Sequence, residues 1–319
     1  MERKSRPLFT IGECGLMLEP QLGMSMGQLL ATAKQAEDLG FGYLFRSDHL
    51  LPTDNRRGID SPECWTSLGA VSASTRRLRF GPLVTPVGFR NPALLAKMAC
   101  TLHSSSGGRL QLGLGAGWYE AEYSAHGYRF PPFGVRKAQF EEALSVILPM
   151  LREGRVDFDG MHFSAHTDCL PRPAGPVHVI IGAKAKGIVR MAARLADEWN
   201  TLVTPVESAL ENASLLGSLS AGRKVGLSEM GPFLVGKNQS ELDSHAKLQL
   251  SKLGQTGTPD ELFKRLKARG APCGTPEDLV SVIEKELEAG VQKFYFQALV
   301  PENTAMTELL ADTLKDNFG

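Results

Sequence analysis

Asp48 and His49 are the residues of this chain best suited to proton transfer. They follow a short apolar segment, residues 41–45, that is typical of a buried β-strand, so they stand where that strand is expected to end. An imidazole changes charge near neutral pH, and His49 can therefore donate or accept a proton beside Asp48. The alternative is structural, with Asp48 capping a loop and His49 packed beneath it. The position at a strand exit favours the catalytic interpretation.

Two glycine-containing turns could hold an anionic group. The first follows the apolar residues 109–112 and the second follows the apolar residues 177–181. Glycine lets the backbone approach a ligand closely, and free N–H groups at a helix start can bind a phosphate, with Lys184 or Lys186 as a counter-charge. Both turns are also compatible with ordinary strand-to-helix connections. The candidate residues are Gly115, Ala116, Gly117, Trp118, Tyr119, Gly182, Ala183 and Lys184.

Other reactive residues give weaker signals. Glu13 and Cys14 are expected near the exit of the first strand, where Cys14 could line a cofactor pocket, although a cysteine is more often a small core residue. Arg56 and Arg57 could recognise an acidic group, but loop arginines are usually solvated. The chain has neither His–Glu metal spacing nor a Gly-x-Ser-x-Gly motif, so metal-dependent and serine hydrolases lack support.

Strand-like and helix-like segments alternate almost throughout the chain, which predicts a parallel sheet closed as a (β/α)8 TIM barrel with extra helices. An open doubly wound sheet is the second choice, because its glycine motif should follow the first strand rather than the fourth. We expect one domain over residues 1–319, with a β-hairpin insertion around 152–176 that turns at Asp159-Gly160. The first predicted strand and its exit loop together occupy residues 9–18. The other predicted barrel strands are residues 41–45, 78–85, 109–113, 177–181, 198–202, 224–235 and 293–299.

Composition limits the possible partners. The 319 residues are 42% hydrophobic and carry a formal net charge of zero, so nothing points to nucleic acid or to a membrane surface. No segment approaches the length of a membrane span, and the first residues do not have the pattern of a signal peptide. The five cysteines are scattered and odd in number, which fits the reduced cytoplasm.

Four segments in order closely resemble the bacterial luciferase-like flavin and deazaflavin oxidoreductases. They are residues 40–49, 83–92, 106–119 and 192–200. The resemblance implies a TIM barrel that binds FMN or coenzyme F420 at the carboxyl ends of its strands, usually as a homodimer. One departure concerns the substrate: sugar-phosphate dehydrogenases of the family have a glutamate where this chain has Trp118, so their substrate chemistry should not be assumed.

The resemblance also implies cofactor roles. Asp48 and His49 match the strand exit that faces the ring system, and Pro82, Leu83 and Thr85 match the segment beneath the ring, which often contains a non-prolyl cis peptide. Ala116 to Tyr119 match a loop that meets the cofactor side chain and phosphate. Gly182 to Lys184 match a second phosphate loop, although this loop usually has more glycine.

We therefore expect an F420-dependent oxidoreductase that exchanges hydride with a small, moderately hydrophobic organic substrate, with His49 as the proton donor or acceptor. The alternative is an FMN-dependent monooxygenase that receives reduced flavin from a separate reductase. A non-catalytic flavin-binding protein and a hydrolase or isomerase barrel are more distant alternatives.

Overall fold

A computed structural model describes residues 9–54 and 56–319. Within these residues the main sheet has nine parallel strand segments, in the spatial order β3-β2-β1-β13-β10-β9-β8-β5-β4. They are β1 (Cys14–Leu18), β2 (Tyr43–Arg46), β3 (Arg79–Pro82), β4 (Thr85–Pro86), β5 (Gln111–Gly115), β8 (His178–Gly182), β9 (Glu198–Leu202), β10 (Gly226–Pro232) and β13 (Lys293–Ala298).

The sheet closes into a barrel where β3 meets β5. A parallel bridge joins Phe80 and Leu110, and β4 continues β3 along the same β5 strand, pairing Thr85 with Leu114. Because β3 and β4 are two parts of one barrel strand, the nine segments fill eight barrel positions. The predicted (β/α)8 barrel is confirmed, and the open doubly wound sheet is excluded.

Helices cover the outside of the barrel, and side-chain caps from residues next to them in the sequence begin several of them. Asn91 accepts hydrogen bonds from the N–H groups of Ala93 and Leu94, and Thr275 forms a reciprocal capping pair with Asp278. The helices are α1 (Met26–Asp38), α2 (Cys64–Ser74), α3 (Pro92–Ser105), α4 (Glu120–Ala125), α5 (Phe133–Arg152), α6 (Lys186–Leu195), α7 (Val206–Leu219), α8 (Gln239–Lys252), α9 (Pro259–Ala268), α10 (Pro276–Ala289) and α11 (Thr304–Phe318). None of those described is long and apolar enough to cross a membrane.

The hairpin between α5 and β8 lies outside the barrel sheet, but its turn is later than predicted. The antiparallel strands β6 (Arg155–Asp159) and β7 (Ser164–Asp168) leave residues 160–163 as the turn. The cause is a tertiary contact: the Glu142 carboxylate accepts hydrogen bonds from the N–H groups of Met161, His162 and Phe163. A short pair, β11 (Leu234–Val235) and β12 (Cys273–Gly274), also lies outside the barrel.

A buried polar cluster closes the amino-terminal end of the barrel. The Glu198 carboxylate accepts hydrogen bonds from Tyr295 at 2.8 Å and from Lys293 at 2.6 Å, and it lies 3.1 Å from His178 Nε2. Burial alone would raise the pKa of Glu198, but the His178 hydrogen bond and the Lys293 charge outweigh it and lower that pKa to about 2. This cluster fills the amino-terminal end of the barrel, so a ligand is expected at the carboxyl-terminal end.

One strand assignment needs correction because it moves candidate residues. Cys14 is the first residue of β1, not a residue at its exit, and it is fully buried. Its partner across the sheet, Phe294, is near the start of β13. Cys14 therefore lies at the amino-terminal end of the barrel, where it cannot line a pocket at the strand exits. Residue Glu19 follows β1 instead.

Candidate functional site

The carboxyl ends of β2, β4, β5 and β8 bring most of the predicted site residues to one end of the barrel. In a barrel of this type, catalytic groups come from this end. Cys14 is excluded from this set. The residues brought together are Asp48, His49, Pro82, Leu83, Thr85, Gly115, Ala116, Gly117, Trp118, Tyr119, Gly182, Ala183 and Lys184.

His49 is held in place by the buried carboxylate of Glu122, which lies on α4. Its Nδ1 lies 3.0 Å from Glu122 Oε1 and 3.1 Å from Oε2, and the N–H of Leu50 donates to the same carboxylate at 2.9 Å. Since a carboxylate accepts, Nδ1 carries the proton, and Nε2 is the nitrogen left for proton exchange. The His49 side chain is 16% exposed, so the ring is not completely sealed from solvent.

The surroundings of His49 favour its protonated form. Burial alone lowers the pKa of His49, but the hydrogen bond and negative charge of Glu122 outweigh burial. The charges of Glu19 and Asp48 act in the same direction, and the pKa of His49 is raised above its usual 6.5. An imidazole with a raised pKa can both supply and receive a proton near neutral pH.

Asp48 is occupied by structural contacts. Its carboxylate accepts two hydrogen bonds from Arg90, at 2.6 and 3.2 Å, and one from the Thr85 hydroxyl at 2.8 Å. The side chain has no exposed surface. Trp65 Nε1 also donates to the Thr85 hydroxyl at 3.1 Å. Asp48 therefore fixes β4 and the strand-two exit relative to each other, whereas His49 is the group that can reach a substrate.

The glycines of β5 and β8 make room for Val84. The Leu83–Val84 peptide bond is cis, as the family resemblance implies. A Cβ added to Gly115 would lie 2.6 Å from Val84 Cγ2, and one added to Gly182 would lie 2.9 Å from Val84 Cγ1. Gly115 is the last residue of β5 rather than part of a turn. Because glycine has no side chain, Val84 in the bulge between β3 and β4 can pack closely against it.

The loop after β5 exposes an aromatic surface beside His49. Gly117 has a φ of +76°, and a Cβ there would overlap the Tyr123 hydroxyl, so glycine is required on both grounds. Trp118 is 65% exposed, and its ring lies 5.6 Å from the His49 ring at 87°. The rings of Trp118 and Tyr119, whose centroids are 5.3 Å apart, form with His49 an aromatic surface of the kind that a flat ring system can cover.

The turn after β8 is tied to β9 and leads into an uncapped helix. The Ala183 N–H donates to the Asn200 carbonyl at 3.1 Å, and Trp199 Nε1 donates to the Ala183 carbonyl at 2.9 Å. Ala185, the residue before α6, has no side-chain oxygen to cap the helix. Lys184 and Lys186 are exposed beside this start. The first-turn N–H groups thus have no capping side chain, and an anionic group could satisfy them.

The family model for luciferase-like monooxygenases matches residues 9–293. The chain belongs to the luciferase-like monooxygenase family. It is 32% identical to an F420-dependent glucose-6-phosphate dehydrogenase of Nakamurella multipartita, over 70% of this chain and 63% of that protein. It is also 32% identical to an F420-dependent hydroxymycolic acid dehydrogenase of Mycobacterium tuberculosis, over 61% of this chain and 55% of that one.

Among solved structures, a monooxygenase from Streptomyces bottropensis superposes with a TM-score of 0.82 at 21% identity, covering 96% of this chain and 99% of that chain. At this identity the similarity concerns the fold. The matched segments span less than two thirds of the length of the two curated dehydrogenases.

Three site residues of this luciferase-like chain were missed by the sequence analysis. Glu122 lies on α4, seven residues beyond the end of β5, and nothing in its spacing signals that it reaches His49. Arg90, the partner of Asp48, is in the loop before α3. Glu19 was missed because the first strand was placed too early. Side chains of a strand alternate between its two faces, so the row through Met17 reaches Glu19, and this period of two was the signal that could have identified it.

Proposed function

We propose that this protein is an F420-dependent oxidoreductase that exchanges hydride between the deazaflavin and a small organic substrate. The observation that carries the proposal is His49, which is fixed by Glu122 and lies beside the exposed ring of Trp118. An acid–base group beside a surface for a flat ring suits hydride transfer coupled to proton transfer. That geometry does not separate F420 from FMN, and the two F420-dependent relatives favour F420.

The residues present fit such a cofactor. Pro82, Leu83 and Thr85 would support one face of the ring, because they form the bulge that the glycines of β5 and β8 accommodate. Gly115 to Tyr119 would border its side chain. The uncapped start of α6, with Gly182, Ala183 and Lys184, would hold an anionic group by its N–H groups and by charge.

The chain's own residues would handle the proton and the orientation of the reactants. Carbon C5 of the deazaflavin ring of bound F420 would be the position that accepts or donates the hydride. His49 Nε2 would take the hydroxyl proton of an alcohol as its carbon loses hydride, and in the reverse direction it would return a proton to the carbonyl oxygen. Glu122 keeps the ring orientation fixed and stabilises the imidazolium that forms.

An FMN-dependent monooxygenase is the second candidate, because the family model that matches residues 9–293 describes luciferase-like monooxygenases. In that case a separate reductase would supply reduced flavin, and Trp118 with the loops around it would have to exclude water. For either activity we propose a homodimer, on the basis of family resemblance. We propose the cytoplasm as its location, because the five cysteines are scattered and odd in number. Light scattering at the mass of one chain would contradict the dimer.

Oxygen dependence tests the proposed activity. The protein loaded with F420 would be screened against secondary alcohols and the corresponding ketones, under nitrogen and in air, with deazaflavin absorbance as the signal. The proposal predicts turnover under nitrogen that requires His49 and is lost in His49→Ala. Turnover only with reduced FMN and oxygen would replace it with the monooxygenase.

A further inference from the structure

Two buried cysteines outside the barrel sheet have their sulfur atoms in contact. Cys100 lies on α3, and Cys169 directly follows β7 of the hairpin. Their Sγ atoms are 3.3 Å apart, although 69 residues separate them in the chain. Both are free thiols without exposed surface. Neither belongs to the strand exits that form the candidate site, so the proposed chemistry leaves this pair unused.

Two hydrogen bonds hold the segment that follows β7 on the surface of α3. Lys97 Nζ donates to the Leu170 carbonyl, and the Ser104 hydroxyl donates to the Arg172 carbonyl at 3.0 Å. Lys97 and Ser104 lie about one helical turn before and one turn after Cys100. The position of the sulfur pair is therefore fixed by contacts on both sides of it.

Little movement would convert this contact into a disulfide bond. Bonded sulfurs lie about 2.05 Å apart, so the two atoms must approach each other by little more than about 1 Å. Within residues 9–54 and 56–319, Cys100 and Cys169 are the only cysteines joined by a hydrogen bond between their sulfurs. The other three cysteines are buried on β1, α2 and β12. An oxidant would therefore find one pair that is already in place.

The cover over the pair controls its reactivity. Burial and the hydrogen bond from Cys169 raise the pKa of Cys100 to about 12, so the closed pair stays protonated. Residues 170–172 are exposed, so local opening of this segment uncovers Cys100 with little loss of apolar burial. The positive charge of Lys97 then favours the Cys100 thiolate, which is the reactive form. We therefore expect oxidation to be slow and selective for this pair.

We propose that Cys100 and Cys169 are a modification site at which hydrogen peroxide forms an intramolecular disulfide. Cys100 loses its proton, and its sulfur attacks the peroxide to give a sulfenic acid and one water. The Cys169 thiol then displaces the second water as the sulfur–sulfur bond forms. The two thiols lose two electrons, and the peroxide is reduced to two waters. The inference is independent of the proposed function.

The disulfide would close the part of the chain that carries one side of the candidate site. Residues 100–169 include β5, α4, α5 and the hairpin, and Glu122 lies among them. A cross-link restricts the unfolded chain, and the stabilisation increases with the length of the loop that it closes. We expect the oxidised protein to unfold about 3 °C or more above the reduced protein. F420 affinity should be unchanged, because the pair lies outside the barrel sheet.

Peptide mapping by mass spectrometry locates the cross-link directly. The reduced protein would be treated with hydrogen peroxide, its remaining thiols blocked with N-ethylmaleimide in denaturant, and its peptides mapped without reductant. We expect one disulfide, between Cys100 and Cys169, which dithiothreitol reverses. Cys100→Ala and Cys169→Ala should each lose this disulfide and the rise in unfolding temperature. Cys273→Ala is the matched control, because Cys273 is a buried cysteine on another element, and it should keep both.

The wild-type protein alone can overturn the assignment, whether or not the variants fold. Five free thiols after peroxide treatment, or a disulfide that joins other cysteines, would do so. Sulfinic acid at Cys100 or Cys169 without a disulfide would also contradict it. An unchanged unfolding temperature in the cross-linked protein would overturn the stabilising role. None of these measurements requires F420 to bind, so failure of the proposed function and failure of this inference are distinguishable.

Discussion

His49 Nδ1 and Glu122 Oε1 lie 3.0 Å apart, although 73 residues separate them in the chain. The contact joins the exit of β2 to α4, which follows β5, and it bridges the region between them where the bulge of β3 and β4 lies. Glu122 is almost completely buried, so its charge acts on His49 with little screening by water. The orientation and the protonation of the proposed acid–base group thus depend on the same carboxylate.

Replacing Glu122 tests this dependence. Glu122→Gln removes the charge that opposes burial, so the pKa of His49 should fall below its value in the wild-type protein. NMR titration of the His49 imidazole measures this directly. Turnover should fall about tenfold to a hundredfold at neutral pH, because the imidazolium loses its stabilising partner. Glu120→Gln, on the exposed side of the same helix, is the control and should change neither quantity.

The same pKa shift predicts a pH effect on stability. Because the pKa of His49 is raised in the folded state, its contribution to the free energy of unfolding is complete below about pH 6.5. It is lost as the pH rises through the folded-state value. Urea unfolding from pH 5.5 to 8.5 should show this decline in the wild-type protein and a smaller one in Glu122→Gln. Parallel pH curves for the two proteins would contradict the assigned contact.

Glu198 predicts the opposite dependence. Its pKa falls to about 2 in the folded protein, against an ordinary value near 4.5. The stabilisation, about 3 kcal/mol for a shift of this size, is complete above pH 4.5 and is lost as the pH falls toward 2. Glu198→Gln should therefore lower the urea midpoint at pH 7 and flatten its decline in acid. Glu284→Gln, an exposed carboxylate on α10, should behave as the wild-type protein.

Gly115→Ala tests the packing of the bulge. The new Cβ would lie 2.6 Å from Val84 Cγ2, so we expect a loss of about 1–3 kcal/mol in stability and weaker F420 binding. Adding Val84→Ala should restore part of the stability, because it removes the atom that clashes. Gly217→Ala has open space around it in α7 and should leave binding unchanged. If Gly115→Ala alone kept full stability and affinity, the close packing of Val84 would be contradicted.

Asp48→Asn separates a structural role from a catalytic one. The Asp48 carboxylate is buried and paired with Arg90, so losing its charge should cost about 3 kcal/mol in unfolding free energy. Because the group has no path to the substrate, the pH profile of the remaining activity should still follow His49. A profile that lost a second ionisation in Asp48→Asn would show that Asp48 exchanges protons during the reaction.

The sequence predicted the barrel because its signals are local. Alternating strand and helix segments, the Asn91 cap and the Thr275 cap are all determined by near neighbours, and the structure contains them. The turn of the hairpin was misplaced because Glu142, on another helix, selects it through three N–H groups. Propensities along the chain carry no information about such a contact.

The sequence likewise predicted one part of the site and missed another. His49 was found because a strand exit can be recognised from local apolar pattern, but its partner Glu122 depends on how two loops meet across the barrel. Cys14 was misplaced because residues 9–13 continue the apolar pattern, whereas the structure has a short 3₁₀ turn there and begins β1 at Cys14. The shift of that strand hid Glu19, which only the tertiary contacts with Gln21 and Gln297 reveal.

The most direct test of the account is a titration of the purified protein with oxidised and reduced F420 and, separately, with oxidised and reduced FMN, followed by cofactor fluorescence. The account predicts F420 binding in the micromolar range or tighter, with FMN much weaker, and weaker F420 binding in Gly115→Ala. Selective binding of reduced FMN, or binding of neither cofactor, would contradict it.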